Sequence, residues 1–304
     1  MLSVTFLGTG AACPTVDRNV AGLAVQREGE TILFDCGEGT QRQMMRYGVG
    51  FSFTEVFFSH FHADHMLGII GLVRTMGLQD RTAPVTLYGP RGAQRILGAA
   101  MSLGIERNRF PVEIVEIKAG DRLTRDEYDI VVFETDHRAD TVGYALAEHI
   151  RLGRFHPERA RELGVPEGPL WGRLHKGETV TLDDGRTVRP ADLVGAPRRG
   201  RTLVYTGDTR PSPLVVEAAR GADLLIHEAT FGGDEAERAV ETGHSTASEA
   251  ARVAHEAGVR RLVLTHISPR YTRDAPELLA EAQAVFPETV VARDGMAVEV
   301  GFVE

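Results

Sequence analysis

The pattern of apolar and polar positions predicts short strands and longer helices along the chain. Leu2, Val4 and Phe6 alternate with polar neighbours, as in a strand that buries one face. The run Glu55–Phe58 is largely apolar and aromatic, as in a strand that is buried on both faces. Met66–Val73 follows and has the composition of a buried helix. The chain therefore places a helix directly after a central strand.

Similar patterns predict the remaining elements. Further strands are expected at Val20–Gln26, Thr31–Asp35, Val85–Tyr88, Val112–Ile117, Ile130–Thr135, Val142–Ala147, Thr202–Thr206, Leu224–His227, Arg261–Thr265, Thr289–Ala292 and Met296–Val300. Further helices are expected at Gln41–Tyr47, Ala93–Leu103, Pro213–Arg220, Ser245–Ala257 and Pro276–Val285. This order predicts an α/β fold in which residues 1–304 form one layered domain, with helices covering two sheets. A strand-rich half followed by another is compatible with an αβ/βα sandwich.

One segment, Pro157–Gly172, departs from this pattern. Charges at helical spacing over Glu158–Leu163 give way to the turn-rich residues 164–169. Composition alone therefore favours a solvated linker. Glu178–Leu182 and the turn at Asp184-Gly185 then predict a small hairpin.

Composition is that of an ordinary globular protein, with 42% hydrophobic and 25% charged residues. No apolar run approaches the roughly 18 residues of a membrane span, and no basic region followed by an apolar stretch indicates a secretion signal. We expect the two cysteines, Cys13 and Cys36, to be thiols in a reducing compartment. These features predict a cytoplasmic protein with no membrane partner.

The net charge of −9 argues against a nucleic-acid partner, but the charge is unevenly distributed. The segment from His149 to Arg201 has 11 Lys and Arg against 7 Asp and Glu. The rest of the chain has 23 against 36. A basic segment on an acidic body leaves an RNA partner open, and bound metal ions would add positive charge where phosphate approaches.

Three imidazoles and a carboxylate lie within six residues, where the strand at Glu55–Phe58 gives way to the following helix. His60 and His62 are two residues apart in extended chain, so both rings can point the same way. Asp64 and His65 follow around the turn and can face a second point. Neutral imidazole and carboxylate are ligands that zinc prefers. Two ligand pairs in one turn predict two metal ions.

Further candidate ligands follow other predicted strands. His137 and His266 each lie at the carboxyl end of a strand, and Asp208 follows the apolar strand at Thr202–Thr206. Ligands collect at that edge in sheet-based enzymes. We therefore expect these side chains to join the His60–His65 cluster.

The spacing H-x-H-x-D-H at residues 60–65 resembles the signature of the metallo-β-lactamase superfamily. Other motifs narrow the resemblance to the ribonuclease Z family. They are MLSVTFLGTGAACPT at the start, FDCGEGTQ at Phe34–Gln41, GDTR at Gly207–Arg210, HEATF at His227–Phe231, GHST at Gly243–Thr246 and LTHISPRY at Leu264–Tyr271. Because these motifs occur in order along the whole chain, the resemblance is far more specific than the H-x-H-x-D-H spacing alone.

The resemblance implies a four-layer αβ/βα metallo-β-lactamase sandwich with a protruding arm insert. It implies two Zn²⁺ ions per chain, one bound by His60, His62 and His137 and the other by Asp64, His65 and His266, with Asp208 bridging. It also implies an endoribonuclease that removes the 3′ trailer from precursor tRNA, leaving a 3′-hydroxyl on the tRNA and a 5′-phosphate on the trailer. Asp64 matches the family's catalytic base, while His244 and Glu228 resemble its leaving-group pair.

Two segments resemble substrate-binding elements of that family. Residues 14–19, with Arg18 and Asn19, resemble a loop that inspects the tRNA 3′ end, although Val16-Asp17 departs from the usual basic residue there. Residues 150–178 resemble a tRNA-gripping arm, which replaces the linker interpretation. Its candidate RNA-binding residues are Arg154, Arg159, Arg161, Gly164, Pro166, Gly168, Pro169, Arg173 and Lys176. Because two-fold dimers are the commonest assembly, we also expect a homodimer.

Two alternatives belong to other functional classes. The first is a small-molecule phosphodiesterase, or a lactone or thioester hydrolase, on the same dinuclear metal scaffold. The second is a metal-free binding module, which the intact ligand set disfavours. A small substrate gives no reason for a basic insert or for the GHST and HEATF motifs, so these features favour the endoribonuclease.

Overall fold

Alternating and fully apolar runs form the strands that their patterns predict. In the computed structural model, which describes residues 1–105 and 108–302, the strands are β1 (Leu2–Gly8), β2 (Gly22–Arg27), β3 (Glu30–Phe34), β4 (Glu55–Phe57), β5 (Val85–Gly89), β6 (Val112–Glu116), β7 (Arg122–Thr124), β8 (Tyr128–Glu134), β9 (Val142–Glu148), β10 (Val180–Thr181), β11 (Thr187–Val188), β12 (Thr202–Tyr205), β13 (Leu224–Glu228), β14 (Leu262–Thr265), β15 (Thr289–Val291) and β16 (Ala297–Glu299). The predicted strands are confirmed, and the short β7 is an addition.

The helices also agree with the prediction in most places. They are α1 (Thr40–Tyr47), α2 (Ala63–Met66), α3 (Gly68–Leu78), α4 (Ala93–Met101), α5 (Pro157–Glu162), α6 (Pro169–His175), α7 (Pro213–Ala218), α8 (Ala236–Thr242), α9 (Ala247–Ala257) and α10 (Pro276–Gln283). The expected helix at Met66–Val73 is a short turn of helix, α2, followed by α3. Helices α6 and α8 were not predicted.

The chain divides into two compact units. The first contains residues 1–125, 129–147 and 201–304, and the second contains residues 126–128 and 148–200. The predicted arm at 150–178 lies within the second unit. In the described residues no helix is both long enough and apolar enough to cross a membrane.

Two seven-stranded sheets form the core of the first unit over the described residues. Their strand orders are β16-β1-β2-β3-β4-β5-β6 and β15-β14-β13-β12-β9-β8-β7. Helices α1, α3 and α4 cover one sheet through an apolar cluster that includes Met44, Ile69 and Leu97. Helices α7, α9 and α10 cover the other through a cluster that includes Val215 and Leu278. The predicted αβ/βα sandwich is confirmed.

Aromatic side chains pack the two sheets against each other. Phe34 of β3 lies 5.5 Å from Phe57 of β4 and 5.4 Å from Tyr144 of β9, measured between ring centroids. Tyr144 also donates a hydrogen bond from its hydroxyl to the carbonyl of Phe58 at 2.5 Å. Large buried aromatics contribute strongly to core stability, so the contacts of Tyr144 with Phe34 and Phe58 stabilise the packing of the two sheets.

The second unit has its own small core. Helices α5 and α6 and the β10–β11 hairpin bury Ala160, Val165, Leu174, Val180, Leu182, Val188 and Leu193. The indole of Trp171 lies 5.4 Å from the ring of Phe155 and donates a hydrogen bond to the carbonyl of Val165 at 3.2 Å. The linker interpretation of Pro157–Gly172 is therefore wrong, because these residues form helices around a buried centre.

Candidate metal centre

Parallel strands bring the predicted ligands to one edge of the two sheets. Strand β3 pairs in parallel with β4, and β12, β13 and β14 are parallel neighbours. The carboxyl ends of such strands meet at the same edge. His60 follows β4, Asp208 follows β12, and His266 follows β14.

The first predicted ligand set is brought together. Nε2 of His60 lies 2.9 Å from Nδ1 of His62, and Nε2 of His137 lies 3.4 Å from the same His62 atom. Oδ2 of Asp208 lies 3.6 Å from Nε2 of His60. One ligand atom from each of these four residues lies within 4.8 Å of the others. The four groups thus surround one point.

The second predicted set meets around a neighbouring point. Nε2 of His65 lies 3.2 Å from Nε2 of His266, and Oδ2 of Asp64 lies 3.3 Å from the same His266 atom. Asp208 contacts both sets, because its Oδ2 lies 3.4 Å from Nε2 of His65 and its Oδ1 lies 3.4 Å from Nε2 of His266. Asp208 therefore occupies the position of a bridge.

The donor atoms fit metal ions. Two facing imidazole nitrogens form a hydrogen bond only when one of them carries a proton. Several ring nitrogens lie here within about hydrogen-bonding distance of one another, so protons alone do not satisfy all of them. Oδ1 of Asp208 is buried and has no hydrogen-bond partner among the described residues. Burial lowers the pKa of both His60 and His62, which favours the neutral imidazole that a metal ion requires. A cation at each point would satisfy these groups.

The far nitrogens of four rings are held by a second layer of contacts. Nδ1 of His65 lies 2.8 Å from Oδ2 of Asp35, and Nδ1 of His266 lies 2.9 Å from the hydroxyl of Thr230. Nδ1 of His60 faces Ser59, and Nδ1 of His137 faces the carbonyl of Gly243. Such contacts fix the tautomer and the orientation of a metal-binding histidine. Each of these rings consequently presents Nε2 to the centre.

Sequence reasoning assigned no role to Asp35, Ser59 or Thr230. All three follow strands at the same edge, and Asp35 and Thr230 lie inside the FDCGEGTQ and HEATF motifs. Their position directly after an apolar strand was the available signal. The contacts of Asp35 and Thr230 join residues 30 and 36 positions apart, so spacing could not reveal them.

Close packing at this edge requires glycine at Gly207. Its φ is +61°, and a Cβ there would lie 2.5 Å from Cβ of Ser59. A side chain would therefore push Asp208 away from its place between the two ligand sets. His266 itself has a φ of +57°, an uncommon value for a residue other than glycine.

His244 and Glu228 form a pair beside the ligand sets. Nδ1 of His244 lies 2.8 Å from Oε1 of Glu228 and 3.9 Å from Oδ2 of Asp208. Burial alone would lower the pKa of His244, but the negative charge of Glu228 outweighs it and raises that pKa to about 9. A raised pKa of this kind suits a histidine that donates a proton.

The Glu228 carboxylate is fully buried and held by several donors. Oε1 accepts a hydrogen bond from the amide of Thr209 at 2.9 Å, and Oε2 accepts from the hydroxyl of Thr230 at 2.8 Å and the amide of Ser245 at 3.1 Å. Charge-assisted hydrogen bonds of this kind stabilise the ionised form. Glu228 thus remains an anion facing His244.

Arg210 joins this pair to its surroundings. Its guanidinium donates to both carboxylate oxygens of Glu249, at 2.8 and 2.6 Å, and to the carbonyl of His244 at 2.5 Å. Glu249 in turn accepts from the amide of Thr246 at 2.9 Å. A bidentate pair adds geometric precision, so Arg210 positions the chain that carries His244.

A cavity of about 530 Å³ opens onto this centre. His62, Asp64, Asp208, His244 and His266 line one part of it, and residues of α8 and of the segment after β14 line another. The amide of Ala12 reaches in and donates a hydrogen bond to Oδ2 of Asp64 at 2.7 Å. The cavity gives a substrate access to both ligand sets and to His244.

Of the two candidate residues in the 14–19 loop, Asn19 faces a cavity and Arg18 is buried. The Arg18 side chain is 3% exposed, and its guanidinium donates to the hydroxyl of Thr9 and to the carbonyls of Ala292 and Arg273. We therefore expect Arg18 to hold the loop in place rather than to contact RNA.

The candidate residues of the arm all lie in the second unit. Arg161 pairs with Glu158 at 2.7 Å and Glu167 at 2.8 Å, and Arg173 pairs with Glu178 at 2.7 Å. Arg159 lies 3.9 Å from Glu162. These pairs are exposed, so each contributes little to stability and leaves the arginines free to exchange a carboxylate for a phosphate. Gly164 and Gly168 have positive φ and shape the turn between α5 and α6.

Comparison with known proteins places this geometry in a family. A family model described as "Beta-lactamase superfamily domain" matches residues 173–267, and one described as "Anti-Pycsar protein Apyc1" matches residues 2–151. Ribonuclease Z of Gemmatimonas aurantiaca is 58% identical over 305 residues, covering 100% of this chain and 97% of that protein. Ribonuclease Z of Myxococcus xanthus is 58% identical over 300 residues, covering 98% of each.

A solved structure has the same fold. The crystal structure of human tRNase Z, short form, is 27% identical, with a TM-score of 0.71, and the match covers 99% of this chain and 100% of that one. With relatives of one name matching from end to end, the chain belongs to the ribonuclease Z family.

Proposed function

We propose that this chain is a zinc-dependent endoribonuclease that removes the 3′ trailer from precursor tRNA. The cut leaves a 3′-hydroxyl on the tRNA and a 5′-phosphate on the trailer. The observation that carries this proposal is the meeting of two ligand sets at Asp208, beside the His244–Glu228 pair, in a member of the ribonuclease Z family.

The donor set supports two zinc ions per chain. His60, His62 and His137 would hold one, Asp64, His65 and His266 would hold the other, and Asp208 would contact both. Imidazole with carboxylate is a ligand combination typical of zinc. When bound, such ions would supply positive charge for a phosphate oxygen and would lower the pKa of a bound water.

Asp64 is placed to act as the general base. One of its oxygens faces His266 and the amide of Ala12, and the carboxylate lines the open cavity. Burial alone would raise its pKa, but His266 and His65 lower it, so the group is ionised at neutral pH. An ionised carboxylate here accepts the proton of the attacking water.

His244 is placed to act as the general acid. Glu228 keeps the imidazole protonated and fixes its orientation, as a buried carboxylate does for a catalytic histidine. His244 donates its proton to the 3′-oxygen of the tRNA as the P–O bond breaks. The phosphate therefore leaves with the trailer, and the tRNA keeps its 3′-hydroxyl.

The second unit is proposed to bind the tRNA body. Arg154, Arg159, Arg161, Arg173 and Lys176 belong to a segment with more basic than acidic residues, on a chain that is otherwise acidic. Folded RNA is recognised largely through its shape and backbone, and basic side chains contribute through phosphate contacts. Gly164, Pro166, Gly168 and Pro169 would shape this surface.

Two further properties are inferred with the function. We expect a homodimer, because two-fold dimers are the commonest assembly of soluble proteins. We also expect a cytoplasmic protein, since Cys13 and Cys36 are both free thiols. Light scattering at working concentration tests the assembly, and a monomer mass would contradict it.

Incubation with a 3′-extended tRNA transcript tests the activity. We expect one cut after the discriminator base, loss of cleavage with a chelator, and recovery when Zn²⁺ is added. A mature tRNA transcript is the matched control and should stay intact. Absence of any cleavage by zinc-loaded protein would contradict the proposed function and favour a small-molecule phosphodiesterase, which a chromogenic phosphodiester would detect.

A further inference from the structure

A second large cavity lies on the first unit, beside residues 14–19. Its volume is about 540 Å³, and its lining is mainly polar. Arg42 and Arg46 of α1 and Arg273 line it, and all three are exposed. We call this cavity the arginine groove. The proposed chemistry of the metal centre does not use it.

Among the described residues, no carboxylate lies within ion-pair distance of these three arginines. Arg42 and Arg46 are four residues apart on α1, so their side chains share one helix face. In the described part of the chain, none of the three forms an ion pair, whereas exposed arginines such as Arg220 and Arg270 do. Like charges near one another are unfavourable, and the carboxylates that also line the groove form no ion pair with these arginines in the described residues. Their arrangement suits an anionic ligand, and the guanidinium fork matches phosphate.

The floor of the groove contains the carboxylate of Asp294, which accepts hydrogen bonds from other residues of the chain. Asp294 accepts hydrogen bonds from the hydroxyl of Thr9 at 2.7 Å, the amide of Asn19 at 2.6 Å and the side-chain amide of Gln43 at 2.8 Å. Two exposed carboxylates, Asp17 and Glu38, also line the groove. The groove is therefore a shaped surface with arginines at its wall.

One loop connects the groove to the metal centre. Ala11 and Ala12 line the catalytic cavity, and the amide of Ala12 donates to Asp64. The residues from Pro14 to Asp17 line the arginine groove. Residues 12–16 span at most about 14 Å when extended. An RNA strand that leaves the metal centre along this loop reaches the groove within a few nucleotides.

The direction of cleavage indicates which RNA segment reaches the arginine groove. His244 protonates the 3′-oxygen of the tRNA, so the tRNA end lies on the His244 side of the centre. The loop begins on the Asp64 side of the centre, where the amide of Ala12 donates a hydrogen bond to Asp64. The product that keeps the phosphate is the trailer. It is the segment free to follow the loop.

We infer that the arginine groove binds backbone phosphates of the 3′ trailer, an inference that rests on the proposed function. Arg42, Arg46 and Arg273 supply the phosphate contacts, and residues 14–17 guide the strand to them. Phosphate contacts carry no sequence information. The groove therefore selects for trailer length rather than for trailer sequence.

Binding and cleavage assays test the inference with the combined variant Arg42→Ala, Arg46→Ala and Arg273→Ala. The first readout is the Kd of zinc-loaded protein for a 5′-phosphorylated single-stranded 12-mer RNA. We expect Kd to rise about tenfold. The slope of log K against log salt should become shallower by about 2, since each phosphate contact to a single strand contributes about 0.7.

The second readout is the ratio of kcat/KM for precursors with a 12-nucleotide and a one-nucleotide trailer. We expect this ratio to fall about tenfold in the variant, because only the longer trailer reaches the groove. Replacement of the same three residues by lysine should retain most of the salt dependence, since an ammonium also neutralises phosphate. The matched control is Arg95→Ala with Arg252→Ala, two exposed arginines outside the groove, and it should match the native protein in both readouts.

The outcomes separate this inference from the proposed function. If the alanine variant cleaves both precursors with the native ratio and binds the 12-mer with the native Kd, the groove does not bind the trailer. If the native protein cleaves no precursor at all, the proposed function itself fails. A loss of 12-mer binding equal in the groove variant and in the Arg95 and Arg252 control would indicate a nonspecific charge effect and would also overturn the inference.

Discussion

Nδ1 of His65 lies 2.8 Å from Oδ2 of Asp35, and both side chains are fully buried. The same carboxylate accepts hydrogen bonds from the amide of Ser59 at 2.7 Å and from the hydroxyl of Tyr205 at 2.6 Å. Asp35 therefore joins β3 to the ends of β4 and β12 and fixes His65 with Nε2 toward the second ligand set.

Replacing this carboxylate by an amide should weaken metal binding. In Asp35→Asn the amide NH₂ can donate to Nδ1 of His65, which places the ring proton on Nε2, where the metal ion would bind. We expect zinc affinity to fall about 10- to 100-fold, as for other partners of metal-binding histidines. Asp35 has a φ of +57°, which asparagine tolerates, so the backbone should be retained.

Competition with a chromogenic chelator measures this affinity without reference to activity. Asp223→Asn is the matched control, because Asp223 is also buried and accepts a hydrogen bond from the amide of Thr202 at 2.8 Å. It should alter stability and leave zinc affinity unchanged. Native zinc affinity in Asp35→Asn would show that the contact does not orient the ring.

The strands and the ligand residues could be predicted because each apolar run ends at a polar residue. His60, Asp208 and His266 stand at such ends, and parallel pairing brings the ends together. Asp35 occupies the same kind of position. Its role stayed hidden because its partner, His65, is 30 residues away and joined to it only by the fold.

The incorrect linker interpretation has an equally local cause. The prolines and glycines of residues 164–169 indicated a loop, yet Pro169 is the first residue of α6, a position where its missing N–H costs nothing. Arg18 was a candidate RNA contact by its motif. Only the structure shows that Thr9 already accepts its hydrogen bonds together with Ala292 and Arg273, which lie 274 and 255 residues away in sequence.

Removal of Asp64 should abolish most activity and weaken one metal position. Asp64→Ala deletes both the proposed proton acceptor and one of the three groups of the second ligand set. We expect kcat for precursor tRNA to fall by at least about 10³-fold, and metal analysis should find fewer than the proposed two zinc ions per chain. Glu217→Ala, which removes an exposed carboxylate paired with Arg220, should match the native protein. Full activity in Asp64→Ala would exclude Asp64 as the base.

Removal of His244 should affect only substrates whose leaving group needs a proton. His244→Ala should lower kcat for precursor tRNA by about 10²- to 10⁴-fold, the usual contribution of a general acid. Hydrolysis of a nitrophenyl phosphodiester should change far less, because nitrophenolate leaves without protonation. Zinc content should remain native, since His244 belongs to neither of the two proposed ligand sets.

Glu228→Gln provides the companion measurement. The charge that raises the pKa of His244 is lost, so less of the imidazole is protonated at neutral pH. We expect the same selective loss on precursor tRNA. Equal losses on both substrates, or loss of zinc from His244→Ala, would assign this pair to the metal centre instead of to the leaving group.

The basic residues of the second unit should control tRNA affinity and leave the chemistry unchanged. Deleting residues 154–176 would remove Ala160, Val165 and Leu174 from that unit's core, so substitution is the cleaner test. The variant Arg159→Ala, Arg173→Ala and Lys176→Ala keeps these apolar residues. Its three side chains are exposed, and the ion pairs of Arg159 and Arg173 contribute little to stability.

We expect KM for precursor tRNA to rise about tenfold or more in this variant, because three phosphate contacts are lost. The slope of log KM against log salt should become shallower by about 2 to 3. Hydrolysis of the nitrophenyl phosphodiester should be native, since that substrate contacts only the metal centre. Arg95→Ala with Arg252→Ala and Arg220→Ala removes the same charge from the first unit and should leave KM nearly unchanged. Should KM respond equally to both triple variants, net charge rather than a tRNA-binding arm would explain the effect.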